Sequence, residues 1–254
     1  MYETCVVFVC NVQYFDKFIS TLNQLYTNGN YKGDVCLVIG DDLLNNELLN
    51  NSVIVDNNIT IKYFPNIIFP EEFLTINNKV KCDGRNISKK FQWHKLYLFD
   101  VYFKQWKYLF YIDCGMIIYS DINPMLNERK PNTLLAHSDA YPTYVWKLSC
   151  QFDANITEYY DKLNNKYNIN GDYFQSGILL YDTTIIEDDT FDNLFNLALE
   201  FPISRTNEQS IMALYFTNIK PLWKQISVKN ENTYFYDCHK RDKSDIYIMV
   251  KMIL

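Results

Sequence analysis

The stretch Tyr108-Leu-Phe-Tyr-Ile-Asp-Cys-Gly-Met-Ile-Ile-Tyr-Ser-Asp-Ile-Asn-Pro-Met-Leu126 decides the fold. It opens on a solid apolar run, too short for a helix and rich in aromatic and β-branched side chains, which predicts a strand in the core of a sheet. The run delivers one carboxylate, Asp113, to its end. In α/β sheets ligands bind beyond the carboxyl ends of the strands, so Asp113 stands where a ligand would. A second apolar run, Met116 to Tyr119, and a closing Asp-Ile-Asn-Pro-Met-Leu turn follow.

Working outward, Thr4 to Cys10, Val35 to Ile39 and Thr60 to Phe64 read as further strands, the second ending in Gly40-Asp-Asp. Between the first two, Phe15, Phe18, Ile19, Leu22, Leu25 and Tyr26 fall on one helical stripe. Phe91 to Phe103 is helical in spacing, Glu158 to Tyr167 is an amphipathic helix, and Thr133 to Ala136 and Gly177 to Tyr181 are strands. Strands alternating with helices predict a mostly parallel, Rossmann-like central sheet flanked by helices. Residues 65 to 88, with prolines and paired acids, read as a long surface excursion. The apolar end, Ile246 to Leu254, reads as a final packed strand or helix and not as an anchor.

The 254 residues, 48% of them apolar, suffice for one α/β domain spanning the chain. A charged fraction of 21% and a net charge of -6 argue against nucleic acid as a partner, so an anionic ligand must be met by a few placed cations or backbone amides. The seven cysteines are odd in number and scattered, and Cys5, Cys10 and Cys36 lie inside strand-like runs. They predict buried, reduced thiols, which favours a cytoplasmic setting. No run reaches membrane-spanning length.

Several short blocks carry chemistry. Tyr14 follows the first strand, Lys95 lies in Trp93-His-Lys-Leu-Tyr-Leu-Phe99, and Asp113-Cys-Gly115 ends the deciding strand. Asp172-Tyr-Phe-Gln-Ser-Gly177 leads into another strand, Asn207-Glu-Gln-Ser210 opens a helix, and Tyr236-Asp-Cys-His-Lys-Arg-Asp-Lys243 lies near the end. In this order they resemble the family-eight glycosyltransferases, the glycogenin-like enzymes of GT-A fold. The resemblance implies retaining transfer of a hexose from a UDP-sugar, of the UDP-glucose or UDP-galactose class, to a glycan or protein hydroxyl. It further implies that Tyr14 stacks on uracil, that Asp113 and His239 hold Mn²⁺, and that Lys95, Lys240 and Lys243 meet the sugar and diphosphate. Gln175, Glu208 and Gln209 would line the reacting face of the sugar. Gly115 stands where the family's Asp-x-Asp motif has its second acid, which weakens a metal site built on oxygen ligands.

Each block has a plainer reading beside it. Tyr14 fits local packing on a first helical turn, Lys95 a solvated helix face, with Lys89 and Lys90 as rivals, and Asp172 a loop acid. Asn207 and Glu208 fit an N-cap and a first-turn acid. Arg241 competes with its lysine neighbours for the diphosphate, while His94 and His137 read as satisfied core residues. Without its second acid the chain is also readable as a sugar-nucleotide-binding or glycan-binding protein with weak or no catalysis, and a homodimer is compatible with either reading.

Overall fold

The computed structural model describes residues 3–80, 90–230, 233–237 and 246–251. In chain order the elements are β1 (Thr4–Cys10), α1 (Phe15–Thr27), β2 (Asp34–Ile39), α2 (Ser52–Asp56), β3 (Thr60–Tyr63) and α3 (Glu71–Asn77). There follow β4 (Tyr108–Ile112), β5 (Met116–Ile118), α4 (Asn123–Leu126), β6 (Leu134–Ala136), α5 (Thr157–Lys166), β7 (Ile178–Asp182), α6 (Thr190–Glu200) and α7 (Glu208–Leu214). The last strands are β8 (Trp223–Gln225), β9 (Lys229–Asn230), β10 (Thr233–Asp237) and β11 (Ile246–Lys251).

A seven-stranded sheet in the order β3-β2-β1-β4-β7-β6-β8 forms the centre. Its pairings are parallel except where β7 meets β4 and β6. All residues of β1 and β4 are buried, as unbroken apolar runs require when both faces of a sheet are covered. On one face Val7, Val9 and Tyr111 pack with Trp93, Leu96 and residues of α6 and α7. On the other, Phe8, Phe110 and Ile112 pack with Phe15, Phe18 and Leu22 of α1 and with β5, β10 and β11.

Two sequence readings change in detail. The region read as helical from Phe91 to Phe103 backs the sheet as two 3-10 segments, Lys90–Phe99 and Val101–Gln105, and not as an α-helix. The excursion after Pro65 is not all surface loop, because α3 docks there with Phe73 and Asn77 buried, Phe73 stacking on Phe69 and meeting Trp93 edge-on. Residues 81 to 88 of that excursion lie outside the described residues. Within the apolar end Ile246–Lys251 forms β11, which pairs parallel with β10 and antiparallel with β5 in a second, four-stranded sheet; residues 252 to 254 lie outside the described residues. Cys5, Cys10 and Cys36 are buried and free.

Candidate active site

The site is assembled by one antiparallel pairing. Because β7 runs against β4, its first residue, Ile178, faces Ile112 at the end of β4. The lead-in Gln175-Ser-Gly177 therefore lies beside Asp113, whose backbone N–H donates to the Gly177 carbonyl at 2.9 Å. Packing of α7 on the Lys90–Phe99 segment adds Lys95 and Glu208 from below.

These contacts join residues 95, 113, 176 and 208 in one buried cluster. Lys95, 7% exposed, places its ammonium 2.9 Å from Asp113 Oδ1 and 3.0 Å from Glu208 Oε1. The Ser176 hydroxyl donates to the same Glu208 oxygen at 3.1 Å, and the Tyr111 hydroxyl donates to Asp113 Oδ1. Burial by itself would push the Lys95 pKa down, but the two carboxylates outweigh it and hold the ammonium above its ordinary value. Burial raises the Glu208 carboxyl, which Lys95 opposes and Asp113 reinforces. Burial, and then the Asp113 charge, likewise raise the Tyr111 phenol. Two carboxylates sharing one buried ammonium are costly to assemble and weak evidence for stability, so such a cluster points to a ligand.

Three buried polar atoms at this end of the sheet have no hydrogen-bond partner: Asn11 Oδ1, Gln175 Nε2 and Glu208 Oε2. Gln175 is 4% exposed, and its Oε1 accepts from the Tyr236 hydroxyl at 2.7 Å, which leaves the amide N–H groups as the free donors. A Cβ at Gly177 would sit 2.7 Å from that hydroxyl, so only glycine leaves room for it. Gln209 accepts from the Ser176 backbone N–H at 3.0 Å. Tyr14, half-buried at the start of α1, has the Lys17 ammonium over its ring at 5.3 Å.

Several plain readings fall. Lys95 is no solvated face, and Glu208, although it is the first-turn acid of α7, is buried. Asn207 has φ of +53°, makes no capping bond, and donates its amide to Gln92 at 2.6 Å. Gly115 has φ of +92° as the third residue of a turn closed by Met116 N–H to the Asp113 carbonyl, with Thr21 accepting its backbone N–H. A left-handed backbone calls for glycine, so the turn itself explains the residue that stands where the family has its second acid. Asp172 is engaged locally by the Ser138 hydroxyl and the Tyr173 N–H, both at 2.9 Å. His94 behaves as the expected core residue, stacked on Phe91 with its Nε2 3.2 Å from the Phe64 carbonyl. Lys89, His239, Lys240, Arg241 and Lys243 lie outside the described residues.

Sequence reasoning missed Asn11, Gln151 and Tyr236. Asn11 follows β1 directly, and an amide at a strand end was its signal; Tyr236 opens the block 236 to 243 without a role assigned to it, Gln151 sits in no block, and both become visible only through their contacts.

No protein-family model matches this chain, and no curated protein matches its sequence. Solved structures do. The galactosyltransferase LgtC, in complex with donor and acceptor sugar analogues, aligns with a TM-score of 0.59 at 13% identity, covering 98% of this chain and 87% of that one. Mouse xyloside xylosyltransferase aligns with a TM-score of 0.54 at 11% identity, covering 99% and 97%. A mannosyltransferase from S. cerevisiae in complex with GDP gives 0.54 at 10% identity over 88% and 69%. At such identities the likeness defines the fold: this chain has the GT-A-like fold of glycosyltransferases. Among the described residues no helix is long and apolar enough to cross a membrane.

Proposed function

We propose that the chain is a retaining, glycogenin-like glycosyltransferase of family eight that moves a hexose from a UDP-sugar to a hydroxyl acceptor. The observation that carries this is the pairing of the Lys95 cluster with orphaned groups of opposite character. Glu208 Oε2 needs a hydrogen and Gln175 Nε2 needs a lone pair, both buried near the carboxyl end of β4. Unmade bonds of buried groups cost about 1–3 kcal/mol each. A sugar's hydroxyls satisfy both kinds. In this reading Tyr14 and Asn11, which follow β1, hold the base, and Asp113 and Lys95 meet the sugar and its diphosphate. In the transfer the bond from the anomeric carbon to the diphosphate oxygen breaks, its electron pair leaving with the phosphate, while the acceptor oxygen bonds that carbon and passes its proton to the departing diphosphate oxygen. Glu208, Asp113 and the Gln209 carbonyl oxygen set negative charge around the electron-poor sugar.

Mn²⁺ on the diphosphate would neutralise the charge that grows as the sugar leaves. The described residues fit it sparsely: they hold no group of three metal-ligating side chains, and Asp113 Oδ1 already faces Lys95. Asp113 is the one described side chain assigned to the ion; His239, outside the described residues, would share it, and Lys240 and Lys243 would meet the diphosphate. Calorimetric titration with UDP-glucose and UDP-galactose, with and without Mn²⁺, tests the reading. Binding at micromolar to millimolar nucleotide, with slow release of free hexose, is expected; no binding in either condition overturns it. The reading of a binder without catalysis predicts the same titration and no hexose release.

A further inference from the structure

Gln209 is held by more than its own helix. Its Nε2 donates to Gln151 Oε1 at 3.1 Å, and Gln151 Nε2 donates to the Tyr173 hydroxyl at 3.1 Å. The Tyr173 hydroxyl donates in turn to Asp139 Oδ2 at 3.0 Å. Thr206 adds a second donor to Gln151 Oε1 at 2.8 Å. The backbone of Gln151 is fixed as well, its carbonyl accepting from the Arg205 N–H at 2.8 Å. Gln151 and Tyr173 are buried, so the central bond of the chain is made away from water, while Gln209 and Asp139 at its two ends are half-buried.

The direction of this chain is forced at both ends. At one end the Ser176 backbone N–H can only donate, which fixes Gln209 with its carbonyl oxygen toward Ser176. At the other the Asp139 carboxylate can only accept, which fixes the Tyr173 hydroxyl and, behind it, the Gln151 amide. Every link points the same way, and bonds in series polarise one another in a low-dielectric interior. An amide that gives its N–H to a polarised acceptor carries more negative charge on its oxygen. One lone pair of Gln209 Oε1 is used by Ser176, and the second remains for a ligand.

We propose that Gln151, Tyr173 and Asp139 are positioning residues that act through Gln209, locking its amide so that a polarised carbonyl oxygen faces the anomeric carbon of the donor sugar. This rests on the transferase reading above, and neither resemblance nor motif assigns these three residues a role.

The test uses the full-length chain with glutamine side chains labelled with ¹⁵N, the Gln209 resonance being assigned from its absence in Gln209→Glu. Tyr173→Phe keeps the ring and cuts the chain; Asp139→Asn keeps an acceptor for Tyr173 but makes it neutral. Tyr173→Phe should shift the Gln209 side-chain amide resonances and speed their hydrogen exchange. Both variants should lower kcat for donor hydrolysis, Tyr173→Phe by about tenfold and Asp139→Asn by a smaller factor, with KM and UDP affinity unchanged. A network that only supports the fold would lower the melting temperature and leave the kcat of the folded fraction intact. That result, or Gln209 resonances that stay in place in a folded Tyr173→Phe, overturns the proposal. Should Tyr173→Phe not fold, Gln151→Met is read by the same resonances and the same criterion. If the unsubstituted chain hydrolyses no donor, the transferase reading fails, while shifted resonances still uphold the locking of the Gln209 amide.

Discussion

Two strands of the central sheet end in acids, and their fates differ. At the end of β2, Asp41 accepts from the Tyr63 hydroxyl at 2.8 Å and Asp42 accepts from the Val12 backbone N–H at 3.0 Å. Both are exposed, and both serve the loops around them. A cavity of about 530 Å³ opens nearby, between Ile39, Leu44, Asn46, Ile61 and Tyr63, without a charge cluster in it. At the end of β4, Asp113 meets a buried ammonium that it shares with Glu208. A carboxylate that satisfies a turn and one that builds a site are the same residue in the same kind of place. What separates them is whether a distant element supplies a buried counter-charge.

The largest effect should come from removing that counter-charge. Lys95→Met leaves two carboxylates without their buried ammonium, and we expect a loss of about 3–5 kcal/mol in denaturant unfolding together with loss of donor binding. If Lys95→Met unfolds like the parent chain, the cluster is not the buried ion pair described here and the contrast between the two strand ends collapses.

Next in size is the direct comparison. Asp113→Asn should lower kcat/KM for donor hydrolysis by roughly 100-fold or more, because an electrostatic contact close to the reacting bond is lost. Asp41→Asn should leave the rate unchanged and alter stability by no more than about 0.5 kcal/mol, as an exposed loop position does. Equal rate losses in the two variants would erase the distinction.

Gly115→Asp separates a turn glycine from a lost metal ligand. With φ of +92° any side chain there is strained, and a cost of about 1–2 kcal/mol is expected, although a Cβ would touch nothing closer than the Lys17 side chain at 3.4 Å. Mn²⁺ titration of the folded variant should show no gain in affinity. A clear gain would mean that the turn tolerates aspartate and that the family's metal pair can be rebuilt.

The smallest effect is in pH. The folded state raises the Glu208 carboxyl, chiefly by burial, so it holds that proton to higher pH than the unfolded chain does. The sign follows: this group's contribution is complete below the unfolded value, about 4.3, and is lost as pH rises through the folded value. Glu208→Gln removes that component. Melting curves from pH 4 upward, on the order of one pH unit apart, should fall less with rising pH in the variant than in the parent. Parallel curves would place the Glu208 carboxyl at its ordinary value and weaken the picture of a buried cluster.

Much of the scaffold was legible because burial on both faces writes itself into β1, β2 and β4 as unbroken apolar runs, and burial on one face writes a stripe into α1. The candidate residues Lys95, Asp113, Gln175, Glu208 and Gln209 were likewise legible as short blocks resembling a known family. The sequence left open whether each was surface or site. Lys95 is one lysine on a segment with little amphipathic contrast, and Glu208 satisfied every local rule for a first-turn acid.

What the sequence by itself determined, then, is the set of buried strands, their helices and an acid at the end of β4, all consequences of interactions within a few residues. Tertiary structure alone decided that β5, next to β4 in sequence, belongs to another sheet with β11. It also decided that β7 runs against β4 and so delivers Gln175 and Ser176 to Asp113. The ion pairs join residues 18 and 113 positions apart, and the Gln209 to Asp139 chain joins residues up to 70 positions apart. Pairing over such distances depends on sheet register and helix packing, which sum many weak contacts across the whole chain and leave no local periodicity to read.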